Sequence, residues 1–292
     1  MANKKNNSSE QMMAKLVQEM EKQGLQSEED IKSFLNGVIG KNIDELNFGT
    51  NESKEDQAQD LIYEAWESSP KKAKQLILQA KELDPDNADV YNYLGDIENT
   101  PEKALDFYEQ GVKAGEKKLG KKFIKENEGH FWLMIETRPY MRSLFNSARC
   151  LALLDQNEEA AEKYFRILKL NPDDNMGARY ELFSVSLEIN AFKIIEALLK
   201  EYPDEYGANW TYNKVLYHIK KNEIKEAEEE WFMAINTNRH VPRYLLGKTK
   251  LPKKLPDYMS IGYADEAQCY VAENLHLWEE TEGALDFIKL KI

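Results

Sequence analysis

The sequence predicts an all-α fold, a helical-repeat solenoid preceded by a short N-terminal helical pair. Three observations carry this reading. Apolar residues recur at spacings of three and four along most of the 292-residue chain, which is the period of one helix face. A pattern of small and large residues returns roughly every 34 positions from residue 54 onward. Pro and Gly fall between the segments so defined, where helices stop.

The elements follow in order. Residues 1–10 are polar and read as a disordered tail. Met12, Met13, Leu16 and Met20 then mark an amphipathic helix that Gly24 ends. Ser27 with Asp30 has capping-box character, Asp standing for the usual Glu or Gln, and Ile31, Phe34, Leu35 and Val38 supply the next apolar face. Residues 11–48 are therefore expected to form a helical pair. Residues 49–59 lack strong apolar side chains and are expected to be a linker that runs into the repeats at 54.

The clearest repeat is 141–174. With Met141 as position 1, Leu144 falls at 4, Ala148 at 8, Leu151 at 11, Ala160 at 20, Tyr164 at 24, Ile167 at 27 and Pro172 at 32. Small residues at 8 and 20 let two helices approach, large ones at 4, 11 and 24 fill the seam, and Pro at 32 stops the second helix. The same frame places Ala73, Ile77, Ala80 and Pro85 in a unit at 54–87, and Tyr91, Leu94, Gly95, Ala104 and Tyr108 in a unit from Ala88. Units at 175–206 and 207–241 follow, the second marked by Ala227, Trp231 and Ala234. Helices at about 264–277 and 281–290 are expected as a capping pair. Each pair buries its apolar face only against its neighbours, so a solenoid over 54–292 is the natural architecture. Two segments, 115–140 and 242–262, break the period and are expected to be irregular. Pro242, Pro252 and Pro256 count against a helix in the second.

These positions resemble the tetratricopeptide signature. The run Glu136-Thr137-Arg138-Pro139-Tyr140-Met141-Arg142, preceded by His130-Phe131-Trp132, resembles a segment of a bacterial group of tetratricopeptide proteins. Val241-Pro242-Arg243-Tyr244-Leu245-Leu246 and Glu282-Gly283-Ala284-Leu285 are similar to the carboxy-terminal part of the eukaryotic suppression-of-tumorigenicity family. The resemblance covers roughly residues 128–292. It implies a helical-repeat fold and an interaction role, and it brings no catalytic residues. Some relatives carry a Cys/His metal-binding tail that this sequence lacks.

Composition narrows the function classes. With 39 Lys and Arg against 52 Asp and Glu the formal charge is -13, which opposes a nucleic-acid partner, because phosphate binding needs clustered cations. Cys150 and Cys269 sit in apolar helical contexts and read as reduced core thiols. No stretch approaches the roughly 18 apolar residues of a membrane span, and no secretory leader is legible, so a cytoplasmic protein is expected. His218, His240 and His276 are isolated, and neither a Gly-rich phosphate loop nor a Gly-x-Ser-x-Gly elbow occurs. Catalysis, a metal and a cofactor are accordingly not expected.

Two candidate sites remain. In tetratricopeptide arrays positions 2, 5, 9 and 12 of the first helix line the concave groove, as the resemblance implies. Arg142, Phe145 and Arg149 occupy such positions in the third unit, and Arg179 and Phe183 in the fourth. Their cationic and aromatic character suits an acidic or carboxy-terminal peptide of another protein, Arg binding charge and Phe burying an anchor. His130, Glu136, Arg138 and Tyr140 form the second candidate, a pocket for a small ligand or nucleotide gripped by Arg. The same residues also fit a structural clasp, with Glu136 and Arg138 paired. Self-association through the N-terminal pair is a third reading.

Overall fold

The computed structural model describes residues 3–25, 27–39 and 53–292. Among them the chain is all-helical, with no strand, and it divides into two compact units. The first is Met1–Cys150 with Lys169–Pro172, the second Leu151–Leu168 with Asp173–Ile292.

Helices α1 (Asn3–Lys22) and α2 (Glu28–Val38) supply the expected N-terminal helices. Gly24 takes φ +64° and the Leu25 N–H donates to the Met20 carbonyl, so α1 stops where the sequence places its end. Ser27 caps α2 by accepting from the Asp30 N–H at 3.1 Å. Of the tail expected over residues 1–10, positions 3–10 belong to α1, and positions 1 and 2 lie outside the described residues. Glu10 pairs with arginines more than a hundred residues away, and polar composition gives no sign of such a contact. Residues 40–48 of the expected pair and 49–52 of the expected linker lie outside the described residues.

The rest of that linker is helix. Ser53 and Asp56 form a reciprocal capping box that starts α3 (Lys54–Glu67). Ala58 is already fully buried, but one small residue in a polar first turn is too weak a periodic signal to mark a helix. Helix α3 packs on α4 (Pro70–Leu83), and α5 (Ala88–Asp96) on α6 (Pro101–Leu119). Pro70 and Pro101 occupy first turns, where the missing N–H has no partner to lose. Ile62, Ala73, Ile77, Ala80 and Val90 form the core that joins the first three of these helices.

The segment 115–140 is more regular than expected. Helix α6 continues to Leu119, then come α7 (Lys121–Glu126), two 3-10 turns (Phe131–Leu133 and Ile135–Thr137) and α8 (Arg138–Leu153). Gly115 lies inside α6 because a Cβ there would stand 2.8 Å from the Tyr140 side chain. Its role is close approach rather than helix breaking.

The small position 8 of the repeat has the same cause. A Cβ on Gly95 would meet the Tyr108 ring at 2.5 Å, and that ring is buried with its hydroxyl donating to Asp96 at 2.7 Å. Gly95→Ala is therefore expected to cost about 1–3 kcal/mol by overpacking. Urea unfolding of the variant reads this directly, and an unchanged midpoint would show that the Tyr108 ring yields freely.

The second unit contains most of α9 (Asn157–Leu170), then α10 (Ala178–Glu188), α11 (Phe192–Glu201), α12 (Ala208–Lys220), α13 (Ile224–Thr237), α14 (Val241–Leu245), α15 (Ala264–Glu280) and α16 (Ala284–Lys291). Helices α10 and α11, α12 and α13, and α15 and α16 pack as successive pairs. Leu144, Ala148, Leu151, Ala160, Tyr164 and Ile167, the signature positions of the clearest repeat, are all buried. So are Ala227, Trp231 and Ala234. Cys150 is buried as expected, whereas Cys269 is only half-buried. Burial pushes both thiols above their ordinary value.

The expectation that 242–262 is irregular needs one correction. Pro242 stands in the first turn of α14, a place where proline favours a helix. Beyond α14 the backbone is irregular but pinned. The buried Glu266 carboxylate accepts from the Gly262 and Ala208 N–H groups, each at 2.7 Å, and from Asn238 Nδ2 at 2.8 Å. A chain of buried hydrogen bonds links α10, α12 and α15. Trp278 Nε1 donates to the Tyr270 hydroxyl at 2.7 Å, which donates to Asn213 Oδ1 at 3.0 Å. Asn213 Nδ2 in turn donates to Ser184 Oγ at 3.2 Å, and Ser184 to Asn274 Oδ1 at 2.8 Å.

Candidate functional site

Arg142, in the first turns of α8, is the centre of the first unit's polar structure. Its Nε and Nη2 bind the two oxygens of Asp89 at 2.9 and 2.6 Å, the fork geometry that guanidinium favours. Its remaining donors reach Glu10 on α1, Nη1 to Oε2 at 3.1 Å and Nη2 to Oε1 at 3.0 Å. The guanidinium also lies 5.5 Å from the Trp66 ring. Burial works against its charge, but Asp89 first and Glu10 second outweigh burial and hold the group above its ordinary value.

Asp89 is fully buried and is itself fixed on several sides. Asn87 caps α5 by accepting from the Asp89 N–H at 3.0 Å, and its amide donates to Gln59 at 2.9 Å. Asn92 donates to Asp89 at 2.9 Å and to the Pro139 carbonyl at 3.0 Å, while the Ser143 hydroxyl donates to Asn92 at 2.7 Å. Helices α3, α5 and α8 thus share one network that holds Arg142 in place before anything binds it. Nearby, burial raises the Asp96 carboxyl above its ordinary range, the Tyr108 hydrogen bond opposing the shift.

Helix α1 crosses the cleft these helices form. A cavity of about 390 Å³ lies on one side of it, bordered by Gln59, Tyr63, Lys118 and Tyr140, and one of about 460 Å³ on the other, bordered by Trp66, Asn92, Arg138 and Arg142. Glu10 borders both.

Of the five expected groove residues, two stand in this unit's helix α8 beside Arg142: Phe145, half-buried, and Arg149, exposed. Arg179 and Phe183 belong to the second unit and do not fit the expected role. Phe183 is fully buried, its ring 5.1 Å from Trp210, so it is core. Arg179 is consumed locally, with Nη1 3.0 Å from Asp174, Nε 2.6 Å from Glu205, and the Tyr180 and Tyr202 rings against its guanidinium. Asp174 also accepts the Ala178 and Arg179 N–H groups at the start of α10, so this cluster is a helix cap.

In the second candidate, residues 130–142, Glu136 and Tyr140 border the first cavity and Arg138 the second. Tyr140 is buried, its hydroxyl donating to Glu116 at 3.3 Å, and its ring packs on Phe131. Thr137 donates to the Phe131 and Met134 carbonyls. Arg138 does not pair with Glu136 as expected. Its Nε and Nη2 both donate to the Trp132 carbonyl at 3.2 Å, its guanidinium lies 5.0 Å from the centre of the Trp132 ring, and Nη1 approaches Glu10 at 3.6 Å. His130 and Glu136 are exposed, and His130 borders neither cavity.

Sequence reasoning missed Asp89, Trp66 and Glu10. The groove frame that selects Arg142 would have selected Asp89, Asn92 and Asp96, at positions 2, 5 and 9 of the repeat that begins at Ala88. Glu10 carries no local signal. No protein-family model matches this chain, and a search of curated proteins returns no match.

Proposed function

We propose that this chain is a non-catalytic scaffold of the tetratricopeptide type, which binds an acidic peptide segment of another protein in the cleft of its first unit. The repeat reading is supported by successive helices packed in pairs and by Gly95 and Ala148 at the small position. The binding reading rests on one observation. Arg142 is anchored by Asp89 through one side of its guanidinium while the other side grips a carboxylate on a separate helix. An arginine fixed by a buried partner and presenting further donors to the cleft is pre-organised for a second carboxylate, which lowers the ordering cost of binding. Trp66, half-buried, borders the same cavity as Arg142 and offers aromatic surface for an apolar neighbour of that carboxylate.

The test displays helical peptides, with and without acidic residues, to the full-length chain carrying Glu10→Ala, which frees the second side of Arg142. Acidic peptides are expected to be retained and then lost when Asp89→Asn and Arg142→Gln are added together. Retention that ignores the acidic residue, or that survives the added pair, rules the reading out.

A further inference from the structure

We infer that α1 is the cleft's own ligand, a displaceable helix that occupies the site in the resting chain, and that the external partner is a helix built like it. This inference rests on the binding role proposed for the cleft and adds the form of the partner.

Two features separate α1 from a structural helix. None of its described side chains is buried; Ala14, Leu16, Val17 and Met20 are only partly covered, and Met12 and Met13 are exposed. By contrast α3, α4 and α5 each bury four or more residues. The attachments of α1 are mainly polar and lie at side-chain tips. Gln11 and Lys15 reach Asp60 at 3.2 and 3.1 Å, Gln18 reaches Asp56 at 2.7 Å, and Glu10 takes the arginines. The seat is also imperfect. Cavities remain on both sides of the helix, and one carboxylate oxygen of Glu19 is buried with no hydrogen-bond partner. A helix held this way exchanges more readily than one locked into a core.

The contacts also specify what fits. Glu10, Ala14, Val17 and Glu21 border the same cavity at spacings of four, three and four, one face of a helix. The partner is therefore an amphipathic helix with a carboxylate for Arg142 and Arg138, a small residue one turn later and an aliphatic residue in the turn after that. Tethering gives α1 a high effective concentration, so an external helix meets a reduced apparent affinity until α1 is released.

The probe is a fluorescein-labelled synthetic peptide of residues 3–22, titrated by anisotropy into full-length chains. It is expected to bind the Glu10→Ala chain at least about tenfold more tightly than wild type, because that substitution weakens the resident helix and leaves Asp89 and Arg142 intact. A Glu10→Lys peptide is expected to bind neither chain. Equal binding of the probe to wild type and Glu10→Ala overturns the inference, as does a concentration-dependent dimer of wild type in which α1 is exchanged between copies. If the Glu10→Ala chain retains an acidic peptide from the display but ignores the α1 probe, the resident-ligand inference fails alone. If it binds neither, the proposed function fails with it.

Discussion

Arg142→Ala is expected to destabilise the first unit by about 3–5 kcal/mol, because it leaves the fully buried Asp89 carboxylate without its counter-charge. The loss should not be read as the strength of the ion pair. The Asp89 carboxylate keeps the Asn92 and Gln59 amides, at 2.9 and 3.4 Å, but these are neutral donors set against a group out of contact with water. Changing both partners, as in Asp89→Asn with Arg142→Gln, removes the stranded charge and is expected to recover most of the loss. Urea unfolding of the single and double variants, followed by circular dichroism, measures the difference. If the double variant is as unstable as the single one, the cost arises from packing around Trp66 and not from charge.

Trp278→Ala should produce the other large effect, about 3–5 kcal/mol, and for a different reason. The indole is fully buried, its ring lies 6.5 Å from that of Tyr212, and it donates to the Tyr270 hydroxyl, which carries the hydrogen-bond chain on to Asn213. Removing it opens a large cavity and takes a donor from the network. Trp278→Phe keeps most of the volume and loses the donor, so its expected cost is about 1–2 kcal/mol. Thermal unfolding of both variants separates the two contributions. Equal losses would mean that the hydrogen-bond chain, not the ring volume, holds α15 in place.

The parts of the molecule legible from the sequence share one property: their cause lies within a few residues. Helix ends at Gly24, Ser27 and the proline-marked turns, and the burial of Ala73, Ala148, Tyr164 and Trp231, follow from caps and from a 3.6-residue period that neighbouring positions reveal. Where the sequence reading failed, the cause was local only in part. Ser53 and Asp56 are a capping box in plain sight, but the polar turn behind them gave no periodic support.

The candidate site divides along the same line. Arg142 was legible because its place in the repeat is set by helix phase. Phe183 occupies an equivalent place and is core, since helix phase fixes the direction of a side chain but not what the next helix puts opposite it. Arg138 was legible as a clasp but paired with the wrong acceptor, and Arg179 was read as a groove residue, because their acceptors, the Trp132 carbonyl and Glu205, are chosen by the path of the backbone. The sequence by itself determined an all-helical chain of paired helices, through local periodicity and capping. Tertiary structure alone decided that Glu10 meets Arg142, a pairing across 132 positions that brings α1 into the cleft. Such pairing depends on the packing of α3, α5 and α8 together, and no local pattern encodes it.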